Sequence, residues 1–188
     1  MFSHGQHYLQ IEIDTKKAIL ETMIERFPNI IKGEIAYYET LINEEARMIA
    51  GGDKDIEMTC KNNSLYNNVV DFQESVLIYH YYSLAIMIYT FAESSLKQIC
   101  EYANLHISSI RRDKLNKYYD KIRSQYNTLP MLDEIWAERE TFQKMRNKIT
   151  HEMNTQNHVA TQEYLKSNLE KAYNMLCITL TEVLTSSK

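Results

Sequence analysis

Thr161-Gln-Glu-Tyr-Leu165-Lys-Ser-Asn-Leu169-Glu-Lys-Ala172-Tyr-Asn-Met-Leu176-Cys-Ile-Thr-Leu180-Thr-Glu-Val183-Leu184 is the stretch whose spacing decides the fold class. Leu165, Leu169, Ala172, Leu176, Leu180 and Val183 recur at steps of three and four. That puts them on one stripe of a helix and rules out the alternation of a half-buried strand. A helix with such a stripe must bury it against other elements, and the same period runs through the chain upstream.

Leu20, Ile24, Phe27, Ile31, Ile35, Tyr38, Ile42, Ala46 and Ile49 trace one apolar face ahead of Gly51-Gly52, predicting a first long helix, kinked or restarted at Pro28. Residues 53–68, polar and rich in Asn and Lys, read as a loop. A second long helix is expected over 69–103, with Leu77, Tyr81, Leu84, Ile88, Phe91 and Tyr102 on one stripe and Ala85, Ala92, Leu96 and Ile99 beside it. A third covers 111–126, with Leu115, Tyr118, Ile122 and Tyr126 facing inward, and Leu129-Pro130 breaks it from a fourth over 133–150. Only four glycines and two prolines punctuate the 188 residues. The fold class is therefore all-α: one domain, a bundle of four to five helices, with an N-terminal helix and loop over 1–67 and a core over 68–188.

Charge and cysteine usage narrow the chemistry. A net charge of −4 means that an anionic partner such as RNA must be held by a local basic surface. Cys60, Cys100 and Cys177 lie far apart and read as small core residues rather than a redox or zinc motif. The first residues lack the basic and apolar regions of a secretory signal, and the apolar run over 84–92 is about half the roughly 20 residues a bilayer needs. A cytoplasmic location without a membrane partner is the expectation. His4 with His7, and His151 with His158, lack further ligands at useful spacing, so neither a metal nor a cofactor is implied.

Chemistry concentrates in Arg146-Asn147-Lys148-Ile149-Thr150-His151. An arginine grips a phosphate with a bidentate fork, and a histidine titrates near neutrality. Metal-free RNA cleavage needs a base for the 2′-hydroxyl, an acid for the leaving 5′-oxygen and fixed positive charge on the phosphoryl oxygens. Arg146 falls at the margin of the inward stripe, where a charge needs a partner or an interface. On an unbroken helix Arg146 and His151 diverge by about 140°, whereas Asn147 and His151 share a face. Either the helix breaks before His151 or two chains combine their motifs.

This segment resembles the Arg-x(4 to 6)-His signature of HEPN domains, including the polar residue that often follows the arginine. Tyr89-Thr-Phe-Ala-Glu93-Ser-Ser-Leu96-Lys looks like the upstream helix that carries an acidic residue in that family. The resemblance spans about 71–184 and implies a HEPN-like core. It further implies a metal-independent endoribonuclease that dimerises so that two motifs line one cleft, serving as a toxin or an anti-phage effector beside an antitoxin or defence partner. Arg146 would stabilise the phosphate, His151 would act as acid or base, Asn147 would orient groups, and Glu93 would support them. His151-Glu152-Met153 lacks the tyrosine that a toxin subgroup carries two residues after the histidine, so that subgroup's regulation is not expected.

Each reading has a structural counterpart. Arg146 and His151 also suit a helix C-terminus, where cations meet the helix dipole, and Glu93 also suits a structural ion pair. Arg111, Arg112, Lys114, Lys117, Lys121 and Arg123 outnumber Asp113 and Asp120, enough for RNA backbone contact or for a solvated helix face. The fourteen tyrosines could stack on bases or fill amphipathic core positions. Against the nuclease stands a second function, a non-catalytic helical subunit that binds protein or RNA through the same face.

Overall fold

The computed structural model describes residues 4–107, 113–126, 132–152 and 160–186, with the side chains of 4–6, 132–133 and 151–152 excepted. Among these residues every regular element is a helix: α1 (His4–Ala50), α2 (Lys54–Asn62), α3 (Asn67–Tyr102), α4 (Lys114–Gln125), α5 (Leu132–Ile135), α6 (Arg139–Glu152) and α7 (Gln162–Ser186).

Three helices build the frame. α3 runs antiparallel to α1, a register fixed by Gln98 Nε2 donating to Glu12 Oε1 at 2.8 Å near one end and Gln73 Nε2 donating to Glu34 Oε2 at 2.7 Å towards the other. α7 lies antiparallel to the first half of α1, where Tyr173 donates to Asp14 at 2.8 Å and Lys17 meets Glu170 at 3.1 Å. The core gathers Leu9, Ile13, Leu20 and Ile24 of α1, α3 from Tyr82 to Cys100, and the stripes of α4, α6 and α7. Trp136 closes it, its indole donating to the buried Asn168 Oδ1 at 3.0 Å. Each fully buried aliphatic side chain here contributes roughly 1.5–3 kcal/mol of transfer free energy.

Beyond Ile24 the arrangement thins to a distal arm: the second half of α1, the short α2 and the first half of α3. Ile31, Ile42, Ala46 and Ala50 are buried there without joining the main core.

Several expectations need correction. α1 starts at His4, and Leu9 and Ile13 extend its buried stripe ahead of Leu20. It also runs through Pro28 without a restart. The ring removes the N–H that would bond the Ile24 carbonyl, and Gln162 Nε2, at the start of α7, donates to that oxygen at 3.0 Å instead. Phe27 and Ile49, expected inward, are 52% and 61% exposed, since the stripe passes through Pro28 and Ala50. Part of the expected loop over 53–68 is α2, which buries no residue but is capped by Asp53, whose Oδ1 accepts from the Asp55 and Ile56 amides. Gly51 and Gly52, both at positive φ, make the turn into it. Tyr118 packs against the core only partly buried, and the fully buried tyrosine of α4 is Tyr119, which was not expected. The expected helix over 133–150 divides at Trp136 into α5 and α6, which raises the segment count above the four to five foreseen.

α3 alone among the described helices has the length and apolar composition to cross a membrane. Its second half forms one wall of the core.

Candidate functional site

The candidate segment lies on α6, which packs against α3 and places Phe142 and Met145 in the common core. The helix continues to Glu152, so it does not break before His151. By helical register the two positions stand about 140° apart around one axis, with Asn147 between them. The His151 side chain lies outside the described residues, as do Arg111, Arg112, Met153 and His158.

Arg146 sits half-buried at the edge of the core. Its guanidinium carbon lies 4.8 Å from the ring centroid of Tyr89 on α3, a cation–π distance. Nη1 donates to Asn147 Oδ1 at 2.9 Å, and the Arg146 carbonyl accepts from the Thr150 hydroxyl at 2.8 Å. Nε is buried and has no hydrogen-bond partner among the described residues. An unpaired donor on a buried cation costs free energy, more than for a neutral group. Arg146 therefore keeps one donor unused among the described residues.

Tyr89 is 2% exposed, and burial pushes its phenol up to about 12. The Glu93 carboxylate, one turn along α3, adds to that rise; Arg146 opposes it, Asp113 adds a little and Arg139 opposes. The phenol stays protonated near neutral pH, so the ring acts as a neutral platform. Glu93 itself lies 3.9 Å from Lys114 Nζ at the start of α4, a long and partly exposed pair worth at most about 1 kcal/mol.

A second arginine shares this face of α6. Arg139 lies with its guanidinium carbon 4.5 Å from the ring centroid of the buried Tyr119 and donates from Nε to Asn116 Oδ1 at 2.8 Å. Between the two arginines Gln143 Nε2 donates to Asp113 Oδ1 at 2.8 Å, an oxygen that also accepts from Asn116 Nδ2 at 2.9 Å. Asp113 stands in the left-handed region, at φ 53°, which Asp tolerates better than most residues, and these amides hold it there. Lys117 and Lys121 lie exposed on α4.

Arg146, Asn147 and Glu93 are thus brought to the α3–α6 seam, with Lys114 at its border. Tyr89, Arg139, Asn116, Gln143 and Asp113 were not foreseen as site residues. Tyr89 was visible only as part of the upstream helix, and arginines at i and i+7 on α6 were the one signal for Arg139. Among the described residues no three His, Cys, Asp or Glu side chains gather to hold a metal ion. A surface pocket of about 450 Å³ opens elsewhere, between the end of α3 and Tyr118, and includes none of these residues. No family model, no curated protein and no solved structure matches this chain.

Proposed function

We propose that this chain is a metal-independent endoribonuclease of HEPN type whose site is completed by a second copy. The observation that carries the reading is the unbroken course of α6. One chain holds Arg146 at the α3 seam, and by helical register the position of His151 stands about 140° from it on the same helix, so two α6 helices face to face would be the way to supply both groups.

In that arrangement Arg146 neutralises the phosphoryl oxygens of the scissile phosphate, and Asn147 orients Arg146 through the hydrogen bond it already makes. His151 removes the proton from the 2′-hydroxyl. The hydroxyl oxygen attacks phosphorus, the bond to the 5′-oxygen breaks, and that oxygen takes up a proton from the partner's histidine. The products are a 2′,3′-cyclic phosphate and a 5′-hydroxyl end. A role as a toxin or anti-phage effector, restrained by a partner protein in the cytoplasm, follows from the same reading.

The contacts that Arg146 makes within its own chain, to the Tyr89 ring and to Asn147, favour one rival: a non-catalytic subunit in which the arginine only welds α6 to α3. Incubating wild type, Arg146→Ala and His151→Ala with total RNA in EDTA separates the two, once each is shown to be folded and of equal oligomeric state. Cleavage by wild type with a loss of at least about 100-fold in each variant is expected. Cleavage by none supports the binding subunit, and equal cleavage by all three rejects the site.

A further inference from the structure

Arg139 and Arg146 are seven residues apart on α6, two turns and about 10.5 Å along its axis, on one side of the helix. Each guanidinium is set on the face of a buried tyrosine, Tyr119 at 4.5 Å and Tyr89 at 4.8 Å. Each is tied by a single bond to a side-chain amide, Asn116 for Arg139 and Asn147 for Arg146. Neither pairs with a carboxylate among the described residues. The carboxylate nearest in the network, Asp113, uses one oxygen for the amides of Asn116 and Gln143.

Arginine used for stability alone is ordinarily matched to an acid. Here two arginines are held by aromatic and amide contacts, with no ion pair to a carboxylate among the described residues. Anchoring Arg139 through Nε leaves its terminal nitrogens as a fork, the geometry that suits a phosphate.

We infer that Arg139 is a second phosphate-binding residue, contacting the backbone of a single RNA strand next to the phosphate at Arg146. The inference rests on the reading of Arg146 as a phosphate ligand. It gives the ridge of α6 a direction: the strand runs along the helix from the Arg146 end towards α5.

The probe is a fluorescein-labelled single strand of 2′-O-methyl RNA, which lacks the free 2′-hydroxyl and so reports binding without cleavage. Its anisotropy is followed with full-length wild type, Arg139→Gln and Arg139→Lys at several salt concentrations, after thermal melts establish folding. For single strands each phosphate contact contributes about 0.7 to the slope of log affinity against log salt. Arg139→Gln is expected to lower the slope by about that amount. Arg139→Lys is expected to keep the slope and to lose several-fold in affinity, because the charge stays while the fork is lost. A wild-type slope in folded Arg139→Gln overturns the inference, as does the absence of binding by wild type. If the Gln variant fails to fold, the Lys variant decides, and unchanged affinity there rejects the contact. Binding as expected without cleavage of ordinary RNA by wild type would sink the nuclease reading and leave this site standing.

Discussion

The bundle end and the distal arm are built largely from the same two helices, α1 and α3, yet they bury very different amounts of them. At the bundle end α4, α6 and α7 close around the pair, and Leu84, Ala85, Ile88, Leu96 and Ile99 are fully covered. In the arm only the polar α2 joins them, and Phe27, Ile30, Tyr37, Met48, Phe72 and Tyr79 are each more than half exposed. Helix–helix packing, rather than helix propensity, supplies most helical stability. The comparison teaches that a sequence can read as continuous helix while its two halves have different thermodynamic support. The candidate site belongs to the well-packed half, where Tyr89 and Tyr119 can hold arginines in place.

The largest effect expected from testing this difference comes from Phe142→Ala. The ring lies fully buried between Trp136 and Tyr164, with centroids 6.0 Å from each. Its loss should cost about 3–5 kcal/mol in denaturant unfolding, and a cost near that of an arm substitution would erase the distinction. Pro28→Ala tests the border between the regions. Restoring a backbone N–H in mid-helix should raise stability by roughly 1–3 kcal/mol, read as a higher Tm, whereas a fall would mean that the Gln162 bond to Ile24 matters more than the helix hydrogen bond.

High pH should sharpen the contrast by a smaller amount. Tyr89 has its phenol raised from 10.0 to about 12, and burial raises the Cys100 thiol from 9.0 to about 12. Above the unfolded values the unfolded chain loses these protons while the folded chain keeps them. The stability they contribute is full below about pH 9 and is lost as pH rises towards 12. Denaturant titrations across that range should show the decline, and Tyr89→Phe should reduce it; an unchanged decline would exclude Tyr89 as a source. The smallest effect is expected at Phe72→Ser on the exposed face of the arm, within about 0.5 kcal/mol by thermal melt. A larger cost would show that something covers that face in solution.

Much of the fold was legible because burial leaves a period. The stripe from Leu165 to Val183 and the wide arc of α3 could be read directly. α2 escaped because it buries nothing, although Asp53, with Asp55 and Glu57 in the first turn and Lys61 in the last, carried its start and stop signals. A restart at Pro28 does not occur because the donor that replaces the missing hydrogen bond, Gln162, lies 138 residues from the Ile24 carbonyl it serves. At the site, Arg146 and Asn147 stood out by spacing and by Arg146's place at the margin of the inward stripe. Tyr89, Tyr119, Asn116 and Asp113 did not, since pairings across helices have no period of their own.

That bond between Gln162 and the Ile24 carbonyl also bears on the order of assembly. It joins the first helix to the last, so its formation requires closure of nearly the whole chain, an entropic cost that delays non-local contacts. α2 and the turn at Gly51-Gly52, by contrast, connect only sequence neighbours. During refolding, pulsed hydrogen exchange is therefore expected to find the arm's hairpin turning over early but weakly protected, and the α1–α7 seam protected late and strongly; simultaneous protection of both would contradict this. The least stable part of the molecule would then be the first to take shape.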